Sequence, residues 1–485
     1  MRSPQLCNHL WHVSAMGAGR RFQSALTRPA DVQRQLLLSI LARNADTHFG
    51  HRHRFAAIQS PGTYQEAVPL SDYGDYETAI DRIGHGKPNV LTRDPVTRLV
   101  PTSGSTAARK LIPWTTGLQG DFNRGIGAWI SDLFRQTPTL KRGPAYWSVS
   151  PALPESQVSG YQVPVGFDDV TEYLGRLAGR VVGGIMAVPP AVRHLADTDS
   201  FRLIVLLHLI AARNLRLVSV WHPTFLTLLL DSLPAYWESI IDALRTGTSP
   251  RIPLGPLRRQ FQKTLRPNRA RARELATLDP TRPDTIWPDL QLLSAWGDVT
   301  APEVRDLTCR FPGTRFQPKG ILATEAFLTI PFREHHPLAV TSHFFEFLDD
   351  DGRVHLAEDL IHGGRYEVVI TTSGGLYRYR LGDQVDVTGF LDRTPCLCFA
   401  GRTGQVSDLR GEKLAPCFVA AVISRVTQPF AHTIRFRLLA PNPDRDPPRY
   451  TLVLVADPEP NPVDLAKDLD AALCENPHYR LCRFL

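Results

Sequence analysis

The chain reads as an α/β protein with a large N-terminal unit, residues 1–400, and a small C-terminal α+β unit, residues 401–485. Three observations predict this. Helical periodicity alternates with short apolar strands in the first half, strand alternation takes over from Tyr366, and the rhythm changes again after Gly401. At 485 residues the chain can build one sizeable core and a lesser one. Its 43% hydrophobic and 21% charged residues are those of an ordinary globular protein, which argues against long disorder.

The elements follow in order. Asp31 is placed to cap a helix whose apolar positions Val32, Leu36 and Ile40 share a face, with Leu37 and Leu41 beside them. A second helix is expected from Asp199 or Ser200, burying Phe201, Ile204, Val205 and Leu209. A short strand, Leu217 to Trp221, and a helix through Phe225 to Leu233 come next. From Tyr366 the run Val368-Val369-Ile370 reads as a buried strand. Tyr377, Tyr379 and Leu381 then alternate with Arg378 and Arg380. Gly382-Asp383 is expected to turn tightly into Val385 and Val387, placing Asp383 at a hairpin tip. Beyond Gly401, Phe418, Val422 and Val426 predict a helix. Ile434 to Leu438 and Tyr450 to Val455 predict two strands, and Leu465, Leu469 and Leu473 a last helix.

Charge and cysteines narrow the function classes. The formal charge of +7 is carried by arginine, with lysine supplying only seven of the 55 basic residues. Residues 245–288 gather Arg258, Arg259, Lys263, Arg266, Arg269, Arg271 and Arg273, but only Phe261 is interleaved as a stacking aromatic. A solvated helical face is therefore expected, and no nucleic-acid partner. Cys396 and Cys398 are too close for a structural zinc pair, and the odd, scattered set suits reduced thiols. Met1 to Gly17 lacks the sustained apolar core of a signal peptide. The apolar run Leu203 to Trp221 is broken by Arg213, Asn214 and Arg216. The expectation is a cytoplasmic protein with no membrane partner.

Four local patterns carry chemistry. Pro101-Thr102-Ser103-Gly104-Ser105-Thr106-Ala107-Ala108-Arg109-Lys110 is a small, hydroxylated loop whose N–H and O–H groups can converge on phosphate oxygens, although it is not a Walker A sequence. An ordinary Ser/Thr/Gly turn is the equal alternative. Ala323-Thr324-Glu325, after Lys319-Gly320, offers a hydroxyl beside a carboxylate of the kind that holds Mg²⁺. Asp383 can accept from a ribose diol or bond its own turn. Gly401-Arg402-Thr403-Gly404 with Arg410-Gly411-Glu412-Lys413 lies where the pattern changes and can serve as a hinge. Lysine is sparse, yet Lys110, Lys319 and Lys413 all fall inside these patterns, where a compact ammonium suits a point contact with an oxygen.

Taken together, the order of these segments resembles the adenylate-forming enzymes. More closely, the chain resembles the Gretchen Hagen family of acyl acid amido synthetases. Supporting segments are Asn44-x-x-Thr47-x-Phe49-Gly50, Val68-Pro69-Leu70, Thr102 to Thr106, Tyr366 to Asp383, Leu469-Asp470 and Asn476-x-x-Tyr479. The resemblance implies a large adenylate-forming domain of mixed β-sheets with flanking helices, followed by a small mobile domain. It implies that Thr102, Ser103, Gly104, Ser105, Thr106 and Lys110 hold ATP phosphates. Ala323, Thr324 and Glu325 would lie by the α-phosphate, with Mg²⁺ on Glu325. Asp383 would bind ribose, Arg402 would lie at the domain joint, and Lys413 would approach the adenylate as a catalytic group. Ile321 stands where many such enzymes have an adenine-stacking aromatic. The implied substrates are a carboxylic acid and an amino acid, with a thioester-forming ligase or a catalytically silent nucleotide-binding regulator as alternatives. The end of the chain soon after Tyr479, with no late lysine, favours amide over thioester formation. Trp129, Trp147 and Tyr161 are candidates to line the acid pocket.

Overall fold

The computed structural model describes residues 3–102, 110–148, 160–166, 176–195, 197–247, 266–297, 301–403, 407, 409, 412, 414, 416–442, 445 and 449–484. Four short strands, β3 (Ala145–Trp147), β4 (Leu217–Ser219), β5 (Leu292–Ala295) and β6 (Arg315–Pro318), form a parallel sheet in sequence order. Parallel neighbours need crossovers, and helices Thr198–Ala211 and Pro223–Thr246 supply part of that connecting chain. The first two positions of β3, β4 and β5 are apolar on both faces. Ala145, Leu217 and Leu292 enter one core, whereas Tyr146, Val218 and Leu293 enter the other. The first core is shared with helices Pro4–Ala25 and Thr116–Gln136 through Trp11, Phe22, Trp129 and Leu133. The second holds the apolar faces of the two crossover helices.

A second sheet is antiparallel, in the order β11-β10-β9-β7-β8. Its strands are β7 (Phe344–Leu348), β8 (Val354–Leu356), β9 (Arg365–Thr371), β10 (Tyr379–Leu391) and β11 (Thr394–Arg402). Strands β1 (Val96–Pro101) and β2 (Leu111–Thr115) form a separate antiparallel pair. At the C-terminal end, β12 (Ile434–Asn442) and β13 (Arg449–Ala456) pair beside helices Pro416–Val426 and Pro462–Leu473. Their small core joins Leu414, Val422, Ile423, Leu469 and Leu473. Strand β11 runs through the expected boundary at residue 400, so the connection is a continuous strand up to Arg402.

Several elements differ from the expectations. The first predicted helix begins at Pro29, which puts Asp31 inside its first turn rather than at the cap. Pro and Asp both favour a helix start, and proline at the first helical position won. The helix expected through Leu233 continues to Thr246 with Pro234 inside it. A further helix, Pro477–Phe484, follows the one expected to be last. Asp383 is not at a hairpin tip: β10 passes straight through it, and the register against β9 slips between Arg380 and Gln384. Gly382, at φ 79°, absorbs that slip as a bulge rather than a turn. In the arginine-rich segment, residues 248–265 lie outside the described residues. Arg271, though, is no solvated side chain. It is buried, donating to the carbonyls of Ile210 and Ile286 and paired with Glu274.

One buried ion pair fixes where β10 begins. Arg378 sits at φ 48°, its Nε 3.1 Å from both oxygens of Glu346 and its Nη1 2.8 Å from the Val68 carbonyl. Glu346→Ala leaves that guanidinium buried without a counter-charge. We expect a loss of about 3–5 kcal/mol, measured by urea unfolding, because an uncompensated interior charge costs that much.

Candidate functional site

Strands β1 and β2 present a loop whose base is closed by Thr102 N–H donating to the Lys110 carbonyl at 2.9 Å. Ser103, Gly104, Ser105, Thr106 and Lys413 lie outside the described residues. The Thr102 hydroxyl oxygen is buried with no hydrogen-bond partner among the described residues. Lys110 Nζ stands 5.7 Å over the Tyr73 ring, and the Tyr73 hydroxyl accepts from Leu111 N–H at 2.7 Å. The tyrosine thereby braces the foot of the loop and offers the lysine a π face.

The second wall is the segment after β6. Gly320 passes so close to Thr329 that an added Cβ would lie 2.1 Å from its carbonyl oxygen. Ile321 N–H donates to Thr329 Oγ1 at 2.8 Å, and Ala323 N–H to the Ala326 carbonyl at 2.9 Å. This tight return leaves Thr324 half-buried and Glu325 buried. Burial pushes the Glu325 carboxyl up, and Asp383 nearby pushes it further. Lys110 and Arg402 pull it down.

The third wall is β10 against β11. Asp383 and Arg402 are register partners, and Arg402 Nε donates to Asp383 Oδ1 at 2.8 Å. Burial raises the Asp383 carboxyl and Arg402 offsets that in part. Lys110, Glu325, Asp383 and Arg402 therefore share one electrostatic neighbourhood, although they come from three separated segments. Two carboxylates and two cations, beside a buried unpaired hydroxyl, suit a ligand carrying both anionic oxygens and hydroxyl groups.

Sequence reasoning missed an aromatic pair here. Trp221 and Trp296, just past β4 and β5, are 41% and 38% exposed, with ring centroids 6.4 Å apart at 76°. Trp296 Nε1 donates to the Gly320 carbonyl at 2.7 Å, tying the indole to the Glu325 segment. The available signal was a tryptophan directly after each of two buried runs, Val218 to Val220 and Leu292 to Ala295. Ile321 itself is buried in the first core. Of the acid-pocket candidates, Trp129 and Trp147 stack at 6.2 Å, while Tyr161 packs near His85 and donates to Asp81.

Residues 18–306 match the GH3 family N-terminal domain, and residues 336–402 match the GH3 family central domain. The chain belongs to the GH3 family. A GH3 relative in Oryza sativa subsp. japonica, named probable indole-3-acetic acid-amido synthetase GH3.12, is 26% identical over 442 residues. That match covers 81% of this chain and 72% of the relative. Among solved structures, AtGH3.15 acyl acid amido synthetase in complex with 2,4-DB superposes with a TM-score of 0.82 at 21% identity, covering 95% of this chain and 85% of that one. A 2-hydroxyisobutyryl-CoA ligase in the postadenylation state superposes at 0.53 with 12% identity, covering 92% and 85% of the two chains. The GH3 chain thus has the fold of the adenylate-forming ligases.

Lys319 stands beside this site. Its Nζ donates to Ser219 Oγ at 2.6 Å and lies 5.3 Å over the Trp129 ring. Part of the residue remains accessible, but the amine is deep enough that desolvation pushes its pKa down to about 7. Between that value and the ordinary lysine value the unfolded chain holds the extra proton, so stability rises with pH across this window. The penalty is full below pH about 7 and fades toward pH ~10. The melting temperature of Lys319→Met minus that of the wild type should therefore fall as pH is raised from about 7 to ~10 in a calorimetric series.

Proposed function

We propose that this GH3 protein is an ATP-dependent acyl acid amido synthetase, taking a carboxylic acid and an amino acid. The observation that carries the reading at the residue level is the meeting of Lys110, Glu325, Asp383 and Arg402. In the first step a carboxylate oxygen of the acid attacks the α-phosphorus, and the bond to the pyrophosphate oxygen breaks. In the second the amine nitrogen attacks the acyl carbon, the acyl–phosphate C–O bond breaks, AMP leaves and the nitrogen loses its proton.

Each residue has a role in that scheme. The loop from Thr102 through Ser103, Gly104, Ser105 and Thr106 to Lys110 receives the phosphate chain, with the unpaired Thr102 hydroxyl as one ready donor. Asp383 accepts from the ribose hydroxyls, held in aim by Arg402. Thr324 and the backbone at Ala323 border the α-phosphate. The exposed face of Trp296 supplies the flat apolar surface for the base that Ile321 does not.

Glu325 fits Mg²⁺ as a single buried carboxylate, the remaining ligands being phosphate oxygens and water. When bound, the ion offsets the repulsion between two anions and stabilises the leaving pyrophosphate. Residues 401–485 act as the small mobile domain, which brings Lys413 to the acyl phosphate, where its charge stabilises the reacting oxygens. Among the described residues no helix is long and apolar enough to cross a membrane. The described cysteines are free thiols, which agrees with a cytoplasmic enzyme.

Acid-dependent pyrophosphate release, with and without pooled amino acids, tests the scheme. An amide identified by mass supports it, and thioester formation with CoA instead would sink the second step. Asp383→Ala should weaken ATP binding by roughly 10- to 100-fold, the usual worth of a charge-assisted hydrogen bond. Lys413→Ala should lower turnover by roughly 100-fold while leaving the ATP dissociation constant near wild type, read by isothermal titration.

A further inference from the structure

The carboxyl end of the parallel sheet carries polar side chains that the nucleotide scheme leaves unused. Trp147, Ser219, Ser294 and Gln317 are register partners across β3, β4, β5 and β6. In-register partners of a parallel sheet face the same side. Two residues earlier that side is Ala145, Leu217 and Leu292, in the first core. Lys319, two residues beyond Gln317, returns to the same side, as its bond to Ser219 confirms.

The row is rich in donors, and its amide acceptor, Gln317 Oε1, is already taken by Trp129 Nε1 at 3.0 Å. Lys319 has only N–H donors, and the Ser219 oxygen already accepts from it, so the Ser219 proton is free to donate outward. The Trp147 indole N–H and the Ser294 hydroxyl are buried with no partner among the described residues, and Ser294 is 1% exposed. No carboxylate pairs with Lys319 among the described residues. Buried donors left empty are costly, so a row of them is most simply explained by a ligand that brings acceptors. The charges acting on Glu325 are Asp383, Lys110 and Arg402, and Lys319 is not among them. The row lies at the ends of β3 to β6, and the short Gly320–Ala323 return joins it to the Glu325 segment.

We propose that Lys319 is a specificity-determining residue: with Trp147, Ser219 and Ser294 it binds an acceptor oxygen carried by the acid substrate in addition to the carboxylate that is adenylated. The inference rests on the amido synthetase reading and names its acid class. A second carboxylate suits the row best, because it supplies the counter-charge that Lys319 lacks. Burial without a counter-charge lowers the lysine pKa to about 7, and a bound carboxylate would raise it again.

The test uses the full-length protein and matched acids: butanoate against succinate, hexanoate against adipate, benzoate against isophthalate. Pyrophosphate release with ATP and Mg²⁺ gives kcat/KM for each. Wild type should favour the acceptor-bearing member of at least one pair by roughly 10- to 100-fold. Lys319→Met should erase that preference while ATP affinity stays unchanged, and Ser294→Ala should reduce it by a smaller factor. A preference that survives in Lys319→Met overturns the inference. So does a loss that falls equally on both members, which would place Lys319 at the reacting carboxylate, or a wild type that prefers the plain acids. Failure of every acid to release pyrophosphate, despite ATP binding, would instead bring down the amido synthetase reading, and this inference with it.

Discussion

The salt bridge of Arg378 with Glu346 is the constraint on which the geometry of the site depends. Arg378 leaves β9 and its turn in a left-handed conformation, and its guanidinium is gripped by Glu346 and by carbonyls of residues 65 and 68. That grip sets which residues of β10 face inward: Tyr379, Leu381, Asp383, Val385 and Val387 are buried in alternation. A slip of one residue would turn this whole set outward. Buried ion pairs add little net stability but are expensive to break, so the pair acts here as a register lock. Once the register is set, Asp383 must lie on the apolar face opposite Arg402, which is why the carboxylate is both buried and paired.

Burial pushes three groups at the site toward neutrality. The carboxyls of Glu325 and Asp383 are raised, and the Lys319 amine is lowered, in each case mainly by desolvation. A surface that takes these groups from water without full compensation holds unspent binding capacity. In a low local dielectric each contact with a phosphate, a metal ion or a substrate oxygen is stronger than it would be in water. The same burial explains why the groups are held by rigid neighbours. Arg402 orients Asp383, and Ser219 orients Lys319. The return at Thr329 orients the Glu325 segment.

Much of this was legible in the chain. The apolar runs at Leu217 and Val368, and the periodic helices from Phe201 and Val422, reported themselves because period and burial agree. The hairpin reading of Gly382-Asp383 failed because Gly-Asp is a turn signal only when the strands on either side pair with each other. Here they are one strand, and its partners, β9 and β11, lie on either side. The arginine count could not separate Arg271, which serves carbonyls inside the fold, from its solvated neighbours, since burial depends on the packing of helices far apart in sequence. The tryptophans past β4 and β5 were invisible as a pair for the same reason: only the parallel register places Trp221 beside Trp296.

Parallel strands buried on both faces have no room for chemistry along their length, so function collects where they end. In this chain four strands stop at nearly the same level, and polar or aromatic residues gather there: Ser148, Ser219, Trp296 and Lys319. The connection out of β6 then has no slack, because Gly320 touches the Thr329 backbone and any larger residue would force the return open. Lys319 on one side of that glycine and Glu325 on the other are thus held at a fixed separation. A substrate engaging both must match that separation, so the shape of the acid and the place of its activation are set by one short piece of backbone.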